Sequence, residues 1–261
     1  MLNQFPNRAK DTTIKNLRAC FPDLDEEKLS DLAKMSLIST ACTAMEMGKS
    51  WMLSLDETFS LIKETEGFEE FLRVAEGNKG IILLAPHLGN WEIFGMYAGQ
   101  STASTFMYQP PKLPALDRLL QRTRSRGGIK LAPTDRKGVS IVLKALQKGE
   151  LVGVLPDQVP NDEGGEFAGF FGEPALTMTL VSKLAARSQA KVYCGFAQRL
   201  PESEGFKLII READQSIYSE DLAESLRGLN KTVEDCVLMA VDQYQWEYKR
   251  FRRRPDGNKF Y

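Results

Sequence analysis

The chain of 261 residues contains one histidine, His87, and the residues beside it give it chemical meaning. Glu92 stands five positions further on, across Leu88-Gly-Asn-Trp91. An imidazole exchanges protons near neutrality. A carboxylate that accepts a hydrogen bond from one ring nitrogen fixes the tautomer and frees the other nitrogen to act as a base. The spacing predicts that Glu92 does this from the first turn of a helix whose N-cap is Asn90. Exposed amides at that helix start would also stabilise developing negative charge. A lone histidine after a strand can equally be a turn or packing residue, so its surroundings decide.

Those surroundings begin with Ile81-Ile-Leu-Leu-Ala85, an apolar run that reads as a buried strand of a parallel sheet and stops at Pro86. His87 thus falls at a strand's carboxyl end, where open α/β sheets keep their ligands. A second strand, Leu151–Leu155, ends the same way in Pro156-Asp157-Gln158. Asp157 is either a turn residue or part of the same cleft. A helix carrying Leu116, Leu119 and Leu120 on one face presents Arg118, Arg122, Arg124 and Arg126 on the other. That basic face is either simply solvated or holds anions, a task for which the arginine fork is suited. Phe167-Ala-Gly-Phe-Phe-Gly172 reads as an apolar loop that packs on the core or touches an apolar ligand.

The remaining elements follow from periodicity. Residues 1–24 read as polar and irregular. Leu29, Leu32, Ala33, Leu37, Ala41 and Met45 then recur at helical spacing and predict a long helix with that face in the core. A second helical stretch spans about 55–76, closed by Gly77-Asn-Lys-Gly80. Ser104–Tyr108, Ile129–Ala132, Lys191–Arg199 and Lys207–Glu212 read as strands, with a turn at Gln109–Pro114. Helices are expected at Trp91–Gly99, up to Lys148, over Thr177–Gln189 and over 220–243. Alternation of strand and helix through 81–212 predicts an α/β sandwich. The segment Gln243-Tyr-Gln-Trp-Glu-Tyr-Lys-Arg-Phe-Arg-Arg-Arg-Pro255 interleaves aromatics with cations. It suits either an anionic membrane interface or an exposed basic tail.

Composition excludes several function classes. A formal charge of −1 argues against a nucleic-acid protein. Four scattered cysteines and one histidine lead to no metal site and to isolated core thiols. Met1–Arg8 shows no signal-peptide core, and no apolar run approaches the roughly 20 residues of a membrane span. Gly48-Lys-Ser50 fails as a phosphate loop because Thr43 stands where the first glycine is required. No Gly-x-Ser-x-Gly elbow and no dinucleotide fingerprint are present.

From about residue 14 onward the sequence resembles the late acyltransferases of lipid A biosynthesis, the lauroyl/myristoyl transferases. The resemblance rests on Asn16-Leu-Arg-Ala-Cys-Phe-Pro22, His87–Glu92, Leu116–Arg126, Leu155-Pro-Asp-Gln158, Phe170–Thr177 and Gln243–Trp246 with its basic tail. It implies a glycerolipid-acyltransferase-like α/β sandwich with a mixed, largely parallel sheet flanked by helices. It also implies a single domain over 1–261, made of a helical lead-in (1–80) and an α/β catalytic core (81–261). The implied reaction moves a fatty acyl chain from acyl-carrier protein, or from acyl-CoA, to a hydroxyl of a lipid A precursor. His87 and Glu92 would be the catalytic pair, and Asn90, Arg122, Arg124, Asp157, Gln158, Phe170 and Phe171 would bind substrate, with no cofactor. Family members usually begin with a transmembrane helix, which this sequence lacks. Either an anchoring helix lies outside this sequence, or attachment at the cytoplasmic face of a bacterial inner membrane is peripheral and the lipid acceptor differs. Acylation of a lysophospholipid or another membrane lipid, or lipid binding without turnover, are the alternatives.

Overall fold

The computed structural model describes residues 8–261 apart from Asn78 and Lys112. The first part of the chain forms α1 (Arg8–Cys20), α2 (Glu26–Met52), α3 (Leu55–Phe59), β1 (Ile62–Glu66) and α4 (Phe68–Ala75). Then come β2 (Ile81–Leu84), α5 (Trp91–Ala98), β3 (Ser104–Tyr108), α6 (Pro114–Arg124), β4 (Lys130–Pro133), α7 (Arg136–Gln147) and β5 (Leu151–Val154). The remainder is β6 (Gly165–Phe170), β7 (Glu173–Met178), α8 (Leu180–Ser188), β8 (Lys191–Arg199), β9 (Phe206–Glu212) and α9 (Leu222–Leu238).

Seven strands make one sheet in the order β1-β9-β8-β2-β5-β3-β4, with β2 at its centre. All pairings are parallel except β8 with β9. The short connection 200–205 explains the exception, because a parallel crossover needs about a dozen residues or more. Strand alternation divides β2 between two apolar layers. Ile82 and Leu84 join one with Leu146, Leu184, Leu229 and Leu17, and Ile81 and Leu83 join the other with Phe71, Ile93 and Phe94. The sheet is thus covered on both faces, as its near-continuous apolar strands require.

Several expectations change. Residues 8–20, read as irregular, are helical, and α1 is tied to the far end of the chain through Asn16. The stretch 55–76 is not one helix but α3, β1 and α4, so the lead-in supplies an edge strand to the sheet. Strand β1, Ile-Lys-Glu-Thr-Glu, carries charges as edge strands commonly do, and so lacks an apolar strand signature. Residues 173–178 are strand, which shortens the expected 177–189 helix to α8 and turns the phenylalanine loop into the β6–β7 hairpin. Its two-residue turn is Phe171-Gly172, both with positive φ (48° and 82°). Phe171 tolerates this conformation with its amide held by Glu234 Oε1 at 2.7 Å. The expected 220–243 helix ends at Leu238. Readings that fall on Met1–Asn7, Asn78 or Lys112 lie outside the described residues.

Candidate active site

Leu84 of β2 pairs in register with Val154 of β5. His87 and Asp157 each follow their strand's paired residue by the same three positions, so the sheet delivers them side by side. Asp157 Oδ1 lies 2.9 Å from His87 Nδ1, and Oδ2 accepts the His87 backbone N–H at 2.9 Å. The carboxylate is buried. Burial raises its pKa, but the His87 charge and hydrogen bonds from His87 outweigh this and hold it below the ordinary 3.8. An ionised Asp157 accepts only, so Nδ1 carries a ring proton, and in the neutral imidazole Nε2 is the bare nitrogen. Gln158 Nε2 sits 3.1 Å from that nitrogen and donates to it. The result is a carboxylate–imidazole pair whose basic atom is covered by a displaceable amide.

The loop carrying His87 is held from three directions. Gly89 has φ of 55°, and a Cβ there would meet the Ala197 carbonyl oxygen at 2.1 Å, so glycine is required. Asn90 N–H donates to that same carbonyl at 2.9 Å, and Thr43 of α2 donates to the Gly89 carbonyl at 3.2 Å. From the far end of the chain, Gln245 N–H donates to the His87 carbonyl and Gly89 N–H to the Gln243 carbonyl, both at 3.0 Å. The Asn90 side chain caps α5 by accepting from Ile93 N–H at 3.1 Å.

Glu92 does not orient His87, which corrects the spacing-based expectation. One helical step of about 100° separates it from Trp91. Trp91 takes the position over the imidazole, ring centroids 4.8 Å apart. Glu92 instead accepts from Arg124 of α6, Nε to Oε2 at 3.2 Å and Nη2 to Oε1. The guanidinium also lies over the Tyr108 ring, 5.3 Å from its centroid. The Tyr108 hydroxyl donates to Asp117 at 2.6 Å, and burial followed by that bond pushes its pKa up to about 12.

Two cavities meet at Trp91. One is apolar, lined by Leu83, Met96, Phe106, Met107 and Ile129, with Glu92 and Arg124 in its wall. The other, of about 220 Å³, opens between α2 and the 243–245 segment and reaches His87 past Thr40, Thr43, Met47 and Gln245.

The sequence profile of the bacterial lipid A biosynthesis acyltransferases matches residues 1–253. The chain belongs to this family. It is 29% identical over 255 residues to the lipid A biosynthesis lauroyltransferase of Escherichia coli, covering 97% of this chain and 82% of that one. The palmitoleoyltransferase of the same organism is 26% identical over 258 residues, covering 98% and 83%. A lipid A biosynthesis acyltransferase of Haemophilus influenzae is 29% identical over 251 residues, covering 94% and 76%. The chain is thus an O-acyltransferase, and among its described residues no helix is long and apolar enough to cross a membrane.

The acyltransferase structure brings His87, Asp157 and Gln158 together, and Glu92 with Arg124 beside them. Asn90 is fully buried and serves as a cap, and Arg122 is exposed on α6. Phe170 and Phe171 line neither cavity. Phe170 is in the core beneath Arg250, and Phe171 packs on Trp246 and Phe21. The basic-aromatic segment is also corrected, because Tyr244, Trp246, Arg250 and Phe251 are buried. Arg250 donates to the Leu176 carbonyl at 2.6 Å and to Thr177 Oγ1 at 3.0 Å, which gives acceptors inside to a cation that composition had placed outside. Sequence reasoning missed Trp91, Phe106 and Gln245. For Asp157 as the partner of His87 a signal existed: both strands end in an apolar residue, proline and then the functional residue.

Proposed function

We propose that this acyltransferase moves a fatty acyl group from the thioester of acyl-carrier protein to a hydroxyl of a lipid A precursor, with His87 as general base. The observation that carries this reading is the His87–Asp157 pair, with Nε2 facing a replaceable donor. The acceptor hydroxyl displaces Gln158 and gives its proton to Nε2 as its oxygen attacks the thioester carbonyl. A C–O bond forms, the C–S bond breaks, and the imidazolium returns the proton to the departing thiolate. Asp157 stabilises the imidazolium throughout. Arg124, held by Glu92, keeps further N–H groups for an anionic oxygen of the bound substrates. Exposed Arg122 and Arg118 on the same helix suit the phosphate of the donor's prosthetic arm.

The apolar cavity receives the acyl chain. Its free volume of about 30 Å³ exceeds the roughly 10–15 Å³ needed for one water but is far too small for a fatty chain, so lining side chains must move aside. The protein meets its acceptor at the cytoplasmic membrane face. The test is mass spectrometry of products from purified protein, acyl-carrier protein loaded with a fatty acid, and a hydroxyacylated diglucosamine phospholipid. One acyl group added per acceptor is expected, and none with His87→Ala. Transfer to a lysophospholipid alone would overturn the acceptor, and full turnover by folded His87→Ala would overturn the base.

A further inference from the structure

A hydroxyl that attacks a thioester carbonyl pushes an electron pair onto the carbonyl oxygen, and catalysis needs a donor aimed at that oxygen. Main-chain N–H groups beside the base are a common source, but here they are committed. His87 N–H is held by Asp157 Oδ2 at 2.9 Å and Leu88 N–H by the Pro86 carbonyl at 2.7 Å. Gly89 N–H goes to the Gln243 carbonyl at 3.0 Å and Asn90 N–H to that of Ala197 at 2.9 Å. Within the first turn of α5, Ile93 N–H is taken by the Asn90 cap. The loop that carries the base thus has no main-chain donor of its own to offer.

Gln158 has both a donor and the freedom to move it. Its amide nitrogen lies 3.1 Å from His87 Nε2, at the position that the reacting hydroxyl must occupy. Nε2 of a neutral imidazole accepts, so the amide presents an N–H there and not its oxygen. The backbone beneath this side chain is fixed on both sides. Asp157, just before it, is bound to His87 through both oxygens, and Val159 N–H, just after it, donates to the Tyr248 hydroxyl at 2.9 Å. The side chain itself is half-buried, and among the described residues no second hydrogen bond holds its amide. Arg124 is differently placed. It is engaged with Glu92 and lies over the Tyr108 ring, in the wall of the apolar cavity.

We propose that Gln158 is the oxyanion donor of this transferase, turning from His87 to the thioester carbonyl oxygen as the acceptor hydroxyl takes its place. The assignment rests on His87 acting as the base of the transfer described above. The geometry fits a short swing. The hydroxyl oxygen sits at hydrogen-bond distance from His87 Nε2, with the carbonyl carbon about 3–3.5 Å beyond it. The carbonyl oxygen is bonded to that carbon and so falls close to the resting amide. As the C–O bond forms, the hydroxyl proton passes to Nε2 and the carbonyl π pair moves onto oxygen, where the Gln158 N–H donates to it. That pair returns to the carbonyl as the C–S bond breaks. The thiolate then takes the proton from the imidazolium, and the amide is released to His87. A neutral amide suits both stations, because a carboxylate would repel the oxyanion and a cation would repel the imidazolium.

The test compares the parent chain with Gln158→Met and Gln158→Glu, which keep the length of the side chain and lose the N–H. Transfer from loaded acyl-carrier protein to the diglucosamine acceptor should show kcat lowered by about 10²- to 10³-fold, with KM for both substrates little changed. The melting temperature of Gln158→Met should stay close to that of the parent. A second measurement needs no turnover. A trifluoromethyl ketone analogue of acyl-pantetheine, whose hydrate mimics the tetrahedral oxyanion, should lose affinity for Gln158→Met in step with kcat. A thioether analogue without the carbonyl should bind both proteins equally. Unchanged or raised kcat in Gln158→Met would overturn the proposal, since the amide would then only cover the base and the charge would fall to the amides of Trp91 and Glu92. Equal losses of affinity for the two analogues would also overturn it, by showing a general defect in donor binding. A parent chain without His87-dependent transfer would instead overturn the reading of the base, and the assignment with it.

Discussion

His87 and Asp157 occupy equivalent positions on neighbouring parallel strands, three residues beyond the paired Leu84 and Val154, and this register sets their 2.9 Å contact. Orientation of the base therefore belongs to the sheet rather than to the helix that follows it. Asp157→Asn should lower kcat by about 10²- to 10⁴-fold with little change in KM, because an amide no longer fixes the tautomer or stabilises the imidazolium. Steady-state kinetics on folded protein checks this, and a loss confined to KM would contradict it.

The same carboxylate predicts a pH dependence of stability. Its pKa is lowered on folding from the ordinary 3.8, so its stabilising contribution is fully present above that value. The contribution fades as pH falls below 3.8 toward the folded value. Denaturant melts of the parent chain and Asp157→Asn should therefore differ near neutrality and draw together below about pH 4. A gap that widens on acidification would mean that the sign is wrong.

Glu92 should behave differently from Asp157. Glu92→Gln leaves the half-buried Arg124 without its charge partner beside an apolar cavity, a change expected to cost about 1–3 kcal/mol of stability. The kcat of the folded variant should fall far less than that of Asp157→Asn, because Glu92 bonds to Arg124 and not to the imidazole. A double-mutant cycle with Arg124→Met should recover most of the loss.

Acyl-length preference should respond to Phe106 and not to Phe170. Phe106 lies in the apolar cavity wedged between Gly95 and Gly153, where a Cβ would approach its ring to 2.9 and 2.6 Å. Phe106→Ala should admit longer chains, read as a shifted product distribution. Phe170→Ala should leave the distribution unchanged and cost about 3–5 kcal/mol of stability, since that ring fills the core.

The strand ends of the site were legible because an apolar run halted by proline and followed by a polar residue has few other uses. The choice between two carboxylates was not. Chain spacing favoured Glu92, whereas the contact with Asp157 arises from pairing between strands separated by most of the intervening fold. The aromatic-cationic segment 243–255 was read by composition, which is the same for a membrane interface as for a core. What decides is whether the charge finds acceptors inside, and Arg250 finds Leu176 and Thr177. The hairpin at Phe171-Gly172 lacked the asparagine or aspartate that usually announces a left-handed turn. In α2 the face expected in the core holds Leu29 and Ala33 there but leaves Ala41 and Met45 exposed, because helical periodicity identifies an apolar stripe without saying which way it faces.

The bonds from Gln243 and Gln245 to the loop of His87 also order events during synthesis. The base is translated before half of the chain has emerged, yet its loop is closed by a segment that follows every strand of the sheet. Asn16 joins the same late segment through the Trp246 and Tyr248 carbonyls, at 2.7 and 2.8 Å. A chain cut short before residue 243 therefore keeps the strand pairing that sets His87 beside Asp157 but lacks two of the bonds that brace its loop.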